Sequence, residues 1–259
     1  ISGAAMATVI SQAIVFIVFI FMLFFKNHSY ITFNLNDFSF SSDIILDIIK
    51  IGLPASLSMI VMAGGQGVFN KILVHISVET VAAYQVAGRL DMLVFLPIFS
   101  IAASLTTLIG MFYGAKEYEA LRFTIRYGIF SALIITIFSS AMVYIFADQV
   151  VRFFTEDESI VIIAVNFLQI FAFAYPFIAV GITTGRVLQG LGKGLPVLVI
   201  TIVRVLGVSA PLSLFFVFVM DKSVEWVWYS MMLSTVVAFA IGLTWLVSTV
   251  KKLPMKNTV

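Results

Sequence analysis

The sequence has no cysteine, two histidines, and charged side chains at only 11% of its positions. The missing cysteines exclude disulfides and thiolate metal sites and leave the compartment open. His28 and His75 stand far apart without a third ligand, which argues against a metal centre. With 61% hydrophobic residues and a mean hydropathy of +1.13, there is too little polar surface to enclose the apolar remainder in water. The net charge of +2 contains no basic block suited to nucleic acid. The short alternating segments of an outer-membrane barrel are absent as well, since the apolar runs are long and uniform. The chain opens on Ile1, and its first run lacks the basic flank and short core of a signal peptide. The expectation is a chain that begins partway through a longer protein.

What is present is a set of membrane-length runs. A helix needs about 20 apolar residues to cross a bilayer core, and seven stretches qualify: 2–25, 51–76, 80–112, 127–147, 160–185, 195–219 and 226–250. These predict an all-α membrane protein with seven transmembrane helices. The polar stretch 26–50 reads as a cytoplasmic linker, and its end, DIILDIIK, as an interfacial helix with Asp43, Asp47 and Lys50 at helical spacing. It separates a first helix, 1–25, from a six-helix bundle, 51–252, with a tail at 253–259.

Alternate ends of the helices differ in charge. Lys116, Arg122, Arg126, Arg186, Lys193, Lys251 and Lys252 gather at one end, and Glu79, Asp148, Glu156, Asp157, Glu158, Asp221 and Glu225 at the other. Lys and Arg in short loops stay in the cytoplasm. The sequence therefore predicts a multi-pass protein of the plasma or inner cell membrane with a cytoplasmic C-terminus. Trp226, Trp228, Tyr229 and Trp245 suit the interfacial aromatic belts.

The residues that bear chemistry lie inside these spans. Arg89 and Asp91 are expected to be buried in the third span, where a charge costs about 3 kcal/mol on insertion scales and therefore faces a cavity or a partner. Two residues apart, they point about 200° from one another and cannot form a direct pair. Either Asp91 meets a proton or a cation in a cavity, or both residues tie the helix to its neighbours. The run AGGQG sets Gly64, Gly65 and Gly67 in mid-helix, either for close packing or for a loosened turn that exposes carbonyls. Gln66 and Asn70 share one face there and are the cavity-lining candidates of this helix. Tyr84, Gln85, Met59, Met62, Gln169 and Tyr175 offer aromatic, thioether and amide surface either for bulky cargo or for packing. Pro97, Pro176 and Pro211 lie deep enough to act as hinges, while Pro54 and Pro196 suit first turns. Arg204 is within snorkelling reach of the basic end, a reading preferred to cargo contact. GLGKG, 190–194, lacks the spacing and the hydroxyl residue of a phosphate loop and reads as a tight turn.

Several segments, in order, resemble the multidrug and toxic compound extrusion transporters: GAAMATVIS from Gly3, IGLPASLSMI from Ile51, VETVAAYQVAGRLDML from Val78, PIFSIAASLTTLIGMFYGA from Pro97 and LQGLGKGLPVLVITIVRVLGVSAPLS from Leu188. The resemblance implies the last helix of a first lobe followed by the whole six-helix second lobe of a twelve-helix exporter. Such an exporter exchanges an organic, usually cationic, compound for a proton or sodium ion, with no other cofactor and no covalent chemistry. Five helices would then precede Ile1, and the missing lobe and the lipid bilayer would be the chain's partners. One branch of the family has coupling acids at two positions that fall here on Met62 and Ile178. Both are absent, so the chain looks more like the branch whose acid lies in the first lobe. A lipid-linked sugar flippase of the same superfamily and a seven-helix receptor or light-driven pump are the alternatives. The last helix has no central lysine for a retinal Schiff base.

Overall fold

The structure, a computed structural model, describes residues 2–25 and 40–254. The stretch 26–39 with His28, and the tail residues 255–259, lie outside the described residues. The described chain is helical and forms two compact units, Ile1–Ile44 and Ile45–Val259. In the first, α1 runs over Ser2–Phe25, and its described side chains are exposed apart from a half-buried Ile20.

In the second unit, α2 (Ser42–Ile76) and α3 (Val78–Gly114) form a hairpin joined by the single residue Ser77. Ser77 is extended, and its hydroxyl accepts the Thr80 amide at 3.1 Å, so it stops one helix and caps the next. The segment expected as a separate interfacial helix, Asp43–Lys50, continues without a break into the span, and Pro54 lies inside α2 rather than in its first turn. The Ser58 hydroxyl donates to the Pro54 carbonyl at 2.8 Å.

Next come α4 (Tyr118–Arg152), α5 (Glu158–Ala172) and α6 (Tyr175–Gly190). Arg152 joins α4 to α5, donating to Asp148 at 2.9 Å and to Glu158 at 2.8 Å. Asp157 caps α5 by accepting the Ser159 amide at 3.0 Å. Between α5 and α6 the chain bends by 59°. Pro176, in the first turn of α6, lacks an amide hydrogen, and the Ser140 hydroxyl of α4 donates to the Ala172 carbonyl that the break would otherwise strand.

The next span, Leu195–Val219, is also irregular. It passes from α7 (Leu195–Ile202) through a π-helical stretch, Val203–Ser209, to α8 (Ala210–Leu214) and a second π stretch, Phe215–Val219. Pro211 explains the first widening: its ring displaces the carbonyl four residues back, and the neighbouring Ala210 amide reaches the Val205 carbonyl, five back. Pro97, by contrast, sits in an unbroken α3. The last helix is α9 (Glu225–Lys251). Among the described residues six helices are long and apolar enough to cross a membrane, and the count reaches seven if the bent pair α5–α6 forms one span.

Small residues let the spans approach. Ala83, Ala87, Ala132, Ala164 and Ala179 are fully buried, and a Cβ on Gly190 would lie 2.7 Å from the Thr106 carbonyl oxygen. GLGKG is a tight turn, as expected: Gly192 has φ 77°, and the Lys193 amide bonds the Leu188 carbonyl at 2.8 Å. Gly194 abuts α2, where a Cβ would come within 2.6 Å of the Ile51 carbonyl oxygen.

Candidate functional site

Two polar bridges join the arms of the α2–α3 hairpin within otherwise apolar helices. The Tyr84 hydroxyl donates to Gln66 Oε1, and Gln85 Nε2 donates to Asn70 Oδ1, each at 3.4 Å. Met59, Met62, Gln66 and Asn70 follow at spacings of three and four, so one stripe of α2 carries thioethers and then amides. Met59, Met62, Gln66 and Gln85 are exposed, and Asn70 and Tyr84 half-buried. Gln169 is not part of this seam. It lies on α5 in a groove with Asp148, Glu158 and Asn166.

Tyr84 is fixed from behind by aromatic rings. Its ring stacks on Trp228 of α9 at 5.8 Å between centroids and meets the edge of Phe167 at 5.6 Å. Trp228 is thus fully buried core rather than interfacial belt, whereas Trp226 and Tyr229 are partly exposed. Trp228 follows Trp226 by two residues and so faces the opposite side of α9, a signal the sequence did contain.

Two turns along α3 from Tyr84, Asp91 is half-buried, and its carboxylate accepts a hydrogen bond from the Tyr175 hydroxyl. Tyr175 is fully buried, with its ring edge-on to Phe95 at 5.3 Å, so it holds the acid rather than lining a cavity. Arg89 departs from expectation. It is exposed on the other side of α3 and forms no ion pair or hydrogen bond among the described residues. The angular separation explains this, since a helix that turns Asp91 toward α6 must turn Arg89 away from it.

Of the mid-helix glycines, Gly65 is the packing residue. A Cβ there would lie 2.4 Å from Val205 Cγ1, while Gly64 and Gly67 have nothing within 4 Å. The same contact seats the π-helical stretch against α2 at Gly65. Arg204 is half-buried in the π-helical stretch.

The MatE family model matches residues 54–215. The probable multidrug resistance protein NorM of Thermotoga maritima is 26% identical over 220 residues, 85% of this chain and 46% of that protein. The multidrug export protein MepA of Staphylococcus aureus is 27% identical over 192 residues, 74% of this chain and 42% of that protein. A solved outward-facing multidrug resistance MATE family transporter of the MOP superfamily superposes with a TM-score of 0.89 at 30% identity, covering 99% of this chain and 57% of that one. The chain thus spans about half the length of the relatives it matches. An ordered set of apolar spans, the broken fifth helix and the family match over most of the bundle lead to one assignment: the chain belongs to the MatE family of multidrug and toxic compound extrusion transporters.

Proposed function

We propose that this chain supplies the second lobe of a secondary antiporter that exports organic cations in exchange for protons or sodium ions, with Asp91 as an ion-responsive acid. The observation that carries the reading is a half-buried carboxylate whose neutral partner, Tyr175, leaves its charge unbalanced, at one end of an exposed polar seam in apolar helices. Carboxylates in membrane spans serve ion and proton pathways, because their charge is tolerated only beside a cavity or a partner. The relatives named for multidrug resistance and export support the same direction. Thioethers on α2 and the aromatic face of Tyr84 give adaptable contact to bulky cations. In this reading the exposed side chains of α1 face lipid and a first lobe, and the basic loops lie in the cytoplasm. The test is export of a fluorescent organic cation by membrane vesicles from cells expressing the native coding region, driven by an imposed proton or sodium gradient. Asp91→Asn is expected to slow gradient-driven export by roughly tenfold or more and to flatten its pH dependence. Full export with an unchanged pH profile removes Asp91 from the mechanism.

A further inference from the structure

Phe173 and Ala174 make the 59° break between α5 and α6, yet neither departs far from helical backbone. Phe173 has φ −73° and ψ −22°, and Ala174 has φ −83° and ψ −26°, each within about 20° of α-helical values. The Ala174 amide donates to the Phe171 carbonyl, three residues back, at 2.8 Å, the tighter turn that in mid-helix often marks a hinge. Pro176 fixes where the break falls, because its missing amide leaves the Ala172 carbonyl without a helical donor. The angle is held from outside, by one polar and one aromatic side chain on each side of the break. On the α5 side, Ser140 of α4 donates to the Ala172 carbonyl, and Tyr144 meets the Phe173 ring edge-on at 5.6 Å between centroids. On the α6 side, Asp91 of α3 accepts the Tyr175 hydroxyl, and Phe95 meets the Tyr175 ring edge-on at 5.3 Å. In each pair the two residues are four apart and share one helix face.

We propose that α5–α6 is a hinge whose bend is set by the charged Asp91 carboxylate through Tyr175, and that neutralising this acid relaxes the pair toward a continuous helix. A hydrogen bond to a carboxylate is roughly twice as strong as one to a neutral acceptor, so the grip on α6 weakens when the charge is lost, while the Ser140 contact on α5 does not change. Among the described residues Asp91 forms no ion pair, its bonded titratable neighbour is Tyr175, and Arg89 of its own helix is exposed on the other side. The ion step of the exporter is thereby coupled to the shape of the lobe. This assignment rests on the antiporter reading for its purpose, but its test reads a distance rather than transport, so either can fail alone.

Because the sequence has no cysteine, spin labels can be placed at will. Nitroxides on Ile162→Cys and Arg186→Cys, both exposed positions, straddle the break, and double electron–electron resonance in phosphatidylcholine nanodiscs reads their separation. From the helical rise and the 59° bend, these positions stand about 31 Å apart along the bent axis, against about 36 Å in a continuous helix. Tyr175→Phe removes the hydroxyl and keeps the ring against Phe95, and Asp91→Asn keeps an acceptor without its charge. Each is expected to lengthen the separation by about 2–5 Å. A second pair, Phe130→Cys on α4 and Leu233→Cys on α9, reports the bundle apart from the hinge and is expected to stay where it is. An unchanged separation in either variant, or a lengthening that moves the second pair as far, overturns the proposal. Loss of gradient-driven export in Asp91→Asn with an unmoved hinge strikes the hinge alone and leaves the antiporter reading standing.

Discussion

At the scale of single residues, the Tyr175–Asp91 contact shows how a charge is kept inside an apolar span. The phenol is fully buried, and its hydroxyl has the carboxylate as its partner, so removing the oxygen strands the acid. Tyr175→Phe is expected to destabilise the chain by about 1–3 kcal/mol, the usual cost of leaving a buried acceptor unsatisfied. Arg89→Gln, at an exposed position, is expected to stay within about 0.5 kcal/mol of the parent. Thermal unfolding in detergent checks both, and equal losses would remove the distinction drawn between these neighbours. The sequence showed that the two charges cannot meet, because that follows from helical spacing alone. It did not show which of them faces protein, because lipid tails are as apolar as a protein core and the surrounding pattern is silent between them.

At the scale of helices, irregularity follows from local chemistry that periodicity hides. Positions of Pro54, Pro97, Pro176 and Pro211 were legible, yet only the last two accompany a break or a widened turn. Whether a missing amide bends a helix depends on what neighbouring spans offer to the freed carbonyls, and the Ser140 bond to Ala172 comes from a different helix. The glycines divide in the same way. Gly64→Ala meets open space and is expected to stabilise α2 by up to about 1 kcal/mol through helix propensity. Gly190→Ala places a methyl against the Thr106 backbone and is expected to cost about 1–3 kcal/mol through overpacking. Melting temperatures moving in opposite directions would bear this out, and a shared sign would contradict the packing assigned to Gly190.

At the scale of the molecule, the count of spans decides topology. The seven runs were readable because length and hydropathy suffice for them, but the 59° bend raises the question of whether α5 and α6 cross the bilayer once or twice. The absence of native cysteine makes the question accessible. With the bent pair as one crossing, Glu156→Cys and Lys252→Cys are separated by an odd number of spans. A membrane-impermeant thiol reagent is expected to label Glu156→Cys from outside intact cells and Lys252→Cys only after the inner face is opened. Labelling of both from one side would mean that the pair crosses twice or not at all. Helical spacing set Trp228 opposite Trp226, but which spans would cover Trp228 was beyond the sequence, because uniform apolar runs leave the choice of neighbours open.

The hinge between α2 and α3 consists of one residue, and two side-chain bridges span its arms farther along. Sliding either arm lengthwise by even one residue's rise would pull both bridges apart while straining a connector with no slack. A lengthwise shift between these two rods therefore gives up both contacts at once.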